Sequence, residues 1–310
     1  MWRYTVKRLI QGIITVWFIA TATFAAMHLV PGDPLQSDKA VSEEIRANLE
    51  AKYGLDKPVW HQYGIYLGNL ARGDFGISFT QKNREVNDII REHFPVSATL
   101  GLLAVVFAGL GGVLWGALTA LYRNRLPDII IMFLVILGIS VPSFVVAAIG
   151  QLGLVNLNTL LGFNLLPVGG WGTVAHMLLP SMVLGLSTMA YLTRLMRSSM
   201  LEIVNSDYIR TAKAKGLPAT RIFTKHQLRN AVLPVITVLG PAIAAITTGG
   251  FVVELVFAIP GLGRYFVEAV QQLDYTVIMG TTVFYGAFLV FMVIAVDLIY
   301  GLIDPRVRLE

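Results

Sequence analysis

Long runs without formal charge constrain this chain more than anything else in it. Leu9 to Val30 contains no Asp, Glu, Lys or Arg, and neither does the whole stretch between Asp128 and Arg194. A helix needs about 20 apolar residues to cross the hydrocarbon core of a bilayer. Helices suit that role because their backbone N–H and C=O groups are satisfied within the segment. The first run makes one crossing. The second is long enough for two, with the Gly-, Asn- and Pro-rich piece Gly153 to Gly172 as the turn between them. Runs at Thr99 to Tyr122, Val232 to Phe257 and Ile278 to Ile303 complete a set of six. The basic start (Arg3, Lys7, Arg8) and the small pair Ala20 and Ala22 resemble a signal peptide. The apolar run continues to Val30, too long for a signal h-region, so a retained helix is expected. Charged residues are 14% of the chain, against roughly 25% in soluble domains. The chain has no cysteine, which excludes disulfides, thiolate metal sites and cysteine nucleophiles.

Net charge is +5, and its placement argues against nucleic acid as the partner. With the N-terminus inside, the basic residues Arg3, Lys7 and Arg8, then Arg123 and Arg125, then Arg306 and Arg308, all fall on the cytoplasmic side. So does the richest cluster, which lies between Arg194 and Arg229. The short outer loops hold only Arg264, a positive-inside pattern. The segment 31–95 mixes both signs and is long enough to translocate regardless of charge. It reads as folded and helical. Ser42, Glu43 and Glu44 start a helix that Ile45, Leu49 and Tyr53 continue and Gly54 closes. A second begins at Pro58, carries Trp60, Tyr63, Leu67 and Leu70, and ends before Gly73. A third is suggested by Val86, Ile89, Ile90 and Phe94. Binding a partner and covering the membrane domain are both open roles for this segment. The chain then divides into 1–30 (cytoplasmic start and first span), 31–95 (outer segment) and 96–310 (five further spans with a cytoplasmic loop at 194–231).

That loop is polar and basic between apolar spans. Asn205 or Ser206 is placed to cap a helix, Gly216 sits where a left-handed C-terminal residue is wanted, and Pro218 blocks continuation. The spacing predicts a short helix over Asp207, Tyr208, Ile209, Arg210, Thr211, Ala212, Lys213, Ala214 and Lys215, ending at Gly216 and Leu217. Its small residues suit docking into another protein; an ordinary basic loop is the competing reading.

No Gly-x-x-x-x-Gly-Lys-Ser/Thr loop is present, nor a His-Glu-x-x-His pair or a Gly-x-Ser-x-Gly elbow. Gly-x-Ser occurs at Gly138 to Ser140 and at Gly185 to Ser187, and His176 lies among the spans. These leave an intramembrane serine hydrolase as a weak alternative. No catalytic residue and no metal ligand set is assigned. Ionisable groups near spans are His28, Glu254 and Asp297, all near span ends. Glu254 follows Gly249 and Gly250, and both a gate and a structural ion pair fit it. Ser140, Ser143, Thr188, Thr237, Thr247 and Thr248 are polar positions that either face a pore or cross-link helices.

Several landmarks occur in order along the chain: Leu29-Val30-Pro31-Gly32-Asp33-Pro34, Tyr53-Gly54-Leu55-Asp56-Lys57-Pro58 and Gly73-Asp74-Phe75-Gly76. They continue with Asp207 to Leu217, Arg229-Asn230-Ala231-Val232-Leu233-Pro234, Val253-Glu254-Leu255-Val256-Phe257, Pro260-Gly261-Leu262-Gly263 and Asp304-Pro305-Arg306. In this order they resemble the membrane permease of ATP-binding-cassette importers, in its dipeptide, oligopeptide and nickel branch. The resemblance implies an all-α membrane protein with six transmembrane helices of the type I importer permease fold and a small helical extracytoplasmic segment. It implies a non-enzymatic translocation subunit for peptides, working by alternating access in a bacterial or archaeal cytoplasmic membrane with both termini inside. The implied partners are two ATPase subunits, which carry ATP and Mg, a second and paralogous permease, and an extracytoplasmic substrate-binding protein. In that family the loop before span five is the "EAA" loop, whose coupling helix maps onto Asp207 to Lys215 with Gly216 as the hallmark glycine. Here Arg210-Thr211-Ala212 stands in place of Glu-Ala-Ala. Gly216 and Pro218 then form a hinge before a return helix, Ala219 to Ala231. A gradient-driven transporter or channel without an ATPase is the alternative, and it expects carboxylates at the midplane.

Overall fold

The computed structural model describes residues 2–29, 54–81, 84–248 and 250–303. In chain order the helices begin with α1 (Trp2–Leu29), α2 (Val59–Ala71), α3 (Val86–Leu121), α4 (Leu126–Ser140), α5 (Ser143–Leu161) and α6 (Val174–Val204). They continue with α7 (Asp207–Ala214), α8 (Ala219–Ala231), α9 (Leu233–Thr248), α10 (Phe251–Val256), α11 (Leu262–Gln272) and α12 (Tyr275–Ile303). Among the described residues the only β structure is an isolated bridge between Ile77 and Glu85. Contacts gather these elements into two units, one drawn from within Met1–Ser97 and Pro260–Glu310, the other Ala98–Ile259.

In the first unit α1 and α12 run antiparallel. Arg8 pairs with Asp297 at 3.0 Å, Gly12 lies against Ile294, and Gly286 against Ile19. A Cβ at Gly12 would sit 2.9 Å from Ile294, and one at Gly286 2.7 Å from Ile19, the close approach by which helices associate in lipid. α2 lies on the last turns of α1. Tyr63 and Thr21 share a 2.7 Å hydroxyl contact, His28 Nε2 stands 3.2 Å from Gln62 Oε1, and Phe24 stacks on Tyr66. His28, a candidate for function, is thus a tether between helices. The expected helix after Pro58 is present, closed by Gly73 at φ 76°. The helix expected from Ser42 to Tyr53 lies outside the described residues.

The third expected outer helix is not separate. Val86 to Phe94 forms the first turns of α3, which runs through Pro95 into the second crossing. A proline removes one intrahelical bond, and a buried segment tolerates that where neighbouring packing holds it. Asp274 organises the chain just before α3. Its carboxylate accepts bonds from the Ser78 hydroxyl, the Thr80 hydroxyl (2.8 Å), and the amides of Phe79 and Thr80 (3.2 Å each). It also caps α12 by accepting from the Val277 amide at 3.2 Å, so one buried side chain fixes a loop and a helix start together.

In the second unit, contact registers define the directions. Gly101 meets Thr247 and Gly109 meets Leu239, so α3 and α9 are antiparallel. Gly185 meets Ala104, Gly112 meets Leu192, and Gly116 meets Met196, so α3 and α6 are parallel. Along α4 and α5 the partners on α6 recede steadily: Arg197 for Asp128, Leu186 for Gly138, Leu179 for Gly150. The two helices therefore form one broken crossing, antiparallel to α6. This corrects the expected turn: Gly153 to Leu161 is helix, and the connection begins at Gly162 in the left-handed region (φ 71°). The break falls at Val141–Pro142 instead.

The fifth crossing also differs from expectation. α9 ends at Thr248, and Gly250 opens the separate helix α10, so Val232 to Phe257 is not one span. The reason is local, since the glycine at 250 gives weak helical support and permits a change of direction. α9 is 16 residues long, and it reaches the length and apolarity of a crossing only when taken together with α8, from which it is bent by 42°. Among the described residues five helices are long and apolar enough to cross a membrane alone, and the count reaches six if this bent pair is one span.

Candidate functional site

The basic loop folds as a compact helical hairpin. α7 starts after Ser206, which stands at the N-cap position, but its hydroxyl donates to Ile203 O at 2.7 Å and not to the helix amides. That corrects the expected side-chain cap: the backbone carbonyl of Ser206 accepts from Ile209 and Arg210 instead. The C-terminus matches its sequence signal. Gly216 has φ 72°, its amide donates to Lys213 O at 2.9 Å, and the Leu217 amide donates to Ala212 O at 3.3 Å. This is a Schellman motif with its apolar contact, because Leu217 packs with Ile209, Ala212 and Ile222. The helix ends at Ala214, with Lys215 as C-cap.

One face of α7 is fixed and the other is open. Ile209 and Ala212 are buried against the return helix and Ile203, while Asp207, Tyr208, Arg210, Thr211, Lys213, Ala214, Lys215 and Gly216 are exposed. Two of the ten expected site residues, Ala212 and Leu217, therefore hold the helix down and do not form its outer surface. The open face is basic, relieved by the 3.4 Å pair of Arg210 with Asp207. Asn230 Nδ2 donates to the Tyr208 hydroxyl at 3.1 Å, a second link from α7 to the return helix. Within α8, Ile222–Leu228 winds as a π-helix, a rare form that is frequent at functional sites. Phe223 and Leu228 pack into a cluster with Leu192, Met196, Met200, Ala231 and Val235, which binds the hairpin to α6 and α9.

The candidate pore residues are dispersed in role. Ser140 and Ser143 are exposed and flank the break between α4 and α5. Thr247 is buried against Gly101 and donates to Ile243 O at 2.7 Å. Thr248 and Thr237 donate to Ala244 O and Leu233 O in their own helix. Thr188 is half-buried on α6. Glu254 is 2% exposed, with its Oε1 directed back over Gly250. Beside it, Gln151 Nε2 donates to Val168 O and Val256 O, and Gly170 N donates to Phe257 O at 2.8 Å. These bonds sew α5, the loop before α6 and the end of α10 into one piece.

Ser187 donates to Gly138 O at 3.0 Å, while His176 lies 2.7 Å from the Thr173 hydroxyl. Neither serine nor histidine is arranged as a nucleophile and base, so the hydrolase reading is dropped. Sequence reasoning missed Asp274, Gln151 and the Asp128–Arg197 pair. Asp274 carried a signal, an aspartate immediately before an apolar helix. The other two carried none, because their partners are distant in the chain.

Comparison with known proteins then assigns the family. Residues 112–309 match the model of the binding-protein-dependent transport system inner membrane component, and residues 1–101 match the model of the N-terminal part of such membrane components. The chain belongs to this family. It is 47% identical to the dipeptide transport system permease protein DppB of Bacillus subtilis, over 100% of this chain and 99% of that one. It is 44% identical to the oligopeptide transport system permease protein OppB of Haemophilus influenzae, over 99% and 100%. A crystal structure of an amino acid ABC transporter with histidines shares the fold, with a TM-score of 0.53 at 15% identity over 69% of this chain and 93% of that one. As a multi-pass member of the family, the chain is a permease component and works with an ATPase, a substrate-binding protein and a second permease.

Proposed function

We propose that this chain is the translocation subunit of an ATP-driven importer of di- or oligopeptides. The observation that carries the coupling is the geometry of α7: a capped rod fixed on one face by Ile209, Ala212 and Leu217, with a basic, uncovered opposite face. A partner that engages the open face moves α7 as a body, because the Schellman motif and the Tyr208–Asn230 bond leave it little independent freedom. Displacement passes through the apolar cluster of Met196, Met200, Leu228 and Val235 into α6 and α9. Peptide cargo follows from the full-length similarity to dipeptide and oligopeptide permeases.

On this reading, two ATPase subunits hold ATP and Mg and close on ATP, one of them pressing α7. The second permease is a paralogue, so the membrane part is a heterodimer. A binding protein delivers peptide to the outer side, where 31–95 lies. Both termini are cytoplasmic in a bacterial or archaeal inner membrane, a reading supported by the placement of Lys and Arg. The chain binds no cofactor itself. The Ser and Thr positions 140, 143, 188, 247 and 248, with Glu254, stand as candidates for the path or its gate.

Uptake of a radiolabelled dipeptide by cells lacking and regaining this chain tests the function. Uptake restored by the chain and abolished by ATP depletion is expected. Uptake that survives ATP depletion and collapses with the proton or sodium gradient would replace this reading by the gradient-driven one.

A further inference from the structure

The inner half of span three is tied to span four at both ends and released from its own outer half. At one end Arg197 grips Asp128 with two bonds, Nε to Oδ1 at 2.8 Å and Nη2 to Oδ2 at 2.7 Å. Asp128 is 4% exposed and also accepts from the Asn124 amide at 2.9 Å, so it is fixed to the turn before α4 as well. At the other end the tie is made by Ser187. Within a continuous helix Gly138 O would accept from residue 142, but that residue is Pro142, which has no N–H. The Ser187 hydroxyl satisfies the carbonyl from across the interface, at 3.0 Å. At this second tie a Cβ on Gly138 would stand 3.4 Å from Ala190 and 3.5 Å from Leu186, ordinary van der Waals contact.

Beyond Ser140 the helical ladder stops. Val141 is extended (φ −88°, ψ 126°), as is Pro142 (φ −58°, ψ 139°), and α5 restarts from the Pro142 carbonyl. Such terminal residues absorb backbone rotation in hinged motions. α6 in turn is continuous from the Arg197 level to Val204, where Ile203 enters the cluster under α7.

We propose that Asp128, Arg197 and Ser187 make α4 and the adjoining length of α6 one lever, driven by α7 and pivoting at Val141–Pro142 against α5. Arg197 and Asp128 are positioning residues: they touch no cargo, and they convert displacement of the loop hairpin into displacement of span three. Ser140 and Ser143 then sit at the pivot, which makes this joint the place where the path alters. The lever rests on the proposed coupling through α7.

The chain's lack of cysteine makes site-directed labelling direct. Spin labels at Phe133→Cys on α4 and Ile149→Cys on α5, both exposed positions, report the pivot by electron–electron distance in the assembled complex, with and without ATP and vanadate. A wild-type complex must first hydrolyse ATP; if it carries no ATPase, the proposed function falls and the lever with it. In a hydrolysing complex the lever predicts an ATP-dependent change in the label distance. The double variant Asp128→Ala/Arg197→Ala, which leaves no unpaired buried charge, should still assemble and hydrolyse ATP. It should lose the distance change and at least tenfold in peptide uptake per ATP, and the single variant Arg197→Lys, with Asp128 in place, should keep part of both. An unchanged distance in the wild type, or an undiminished change in the double variant, overturns the proposal. A double variant that no longer assembles overturns it too, leaving the pair as a brace for folding.

Discussion

Gly216 concentrates the demands of the loop in one residue. Its φ of 72° belongs to the left-handed region, and nothing lies within 4 Å of where a Cβ would stand, so a substitution there is opposed by backbone strain alone. That strain is roughly 1–2 kcal/mol for an ordinary residue and larger for a β-branched one. Gly216→Val is therefore expected to insert into the membrane at normal levels and to abolish uptake, while Gly216→Ala keeps part of it; quantified immunoblots beside transport assays check this. Ala212 and Ala214 differ by burial. Ala212→Asp puts a carboxylate into the Ile209–Ile222 contact and should lower the chain's own thermal stability. Ala214→Asp, on the open face, should leave stability unchanged and weaken retention of the ATPase; thermal-shift and co-purification measurements separate the two. The glycine cap was legible because helix termination is a local matter of conformation. The inward turn of Ala212 was not, since it depends on Ile222 from the return helix.

Elements pack closely only where glycine allows. A Cβ at Gly185 would stand 2.5 Å from Ala104 O, a backbone atom that cannot rotate away. Gly185→Ala should cost about 1–3 kcal/mol by overpacking, seen as a lower yield of folded protein in detergent, with Gly153→Ala, which meets nothing within 4 Å, as the unaffected control. Asp274 sets the opposite kind of constraint. Asp274→Ala takes their shared acceptor from the Ser78 and Thr80 hydroxyls and from the amides of Phe79, Thr80 and Val277, at about 1–3 kcal/mol for each buried group left unsatisfied. The segment 76–81 should then become sensitive to protease added from outside, at unchanged cleavage elsewhere. The helices themselves were legible from apolar runs, yet their breaks were not. Pro95 lies within a continuous helix whereas Pro142 interrupts one, and the difference is tertiary: Ser187 supplies the missing donor at Gly138 across a helix interface.

At the scale of the molecule, charge placement and apolar length gave six crossings, and the landmarks in order gave the family. What those signals lack is any record of pairing between distant charges. Asp128 opens the longest uncharged stretch of the sequence and Arg197 lies just past its end at Arg194, with nothing there to link the two; folding brings them together as the tie between spans three and four. In the proposed function the chain's central task is to pass force from an ATPase into these spans through α7. Purification of the tagged chain from its native membrane, with its companions identified by mass spectrometry for wild type and for Ala214→Asp, tests that most directly. ATPase subunits and a second permease should accompany the wild type, and the ATPase alone should be lost from the variant. A wild-type chain that purifies intact without an ATPase would contradict the account.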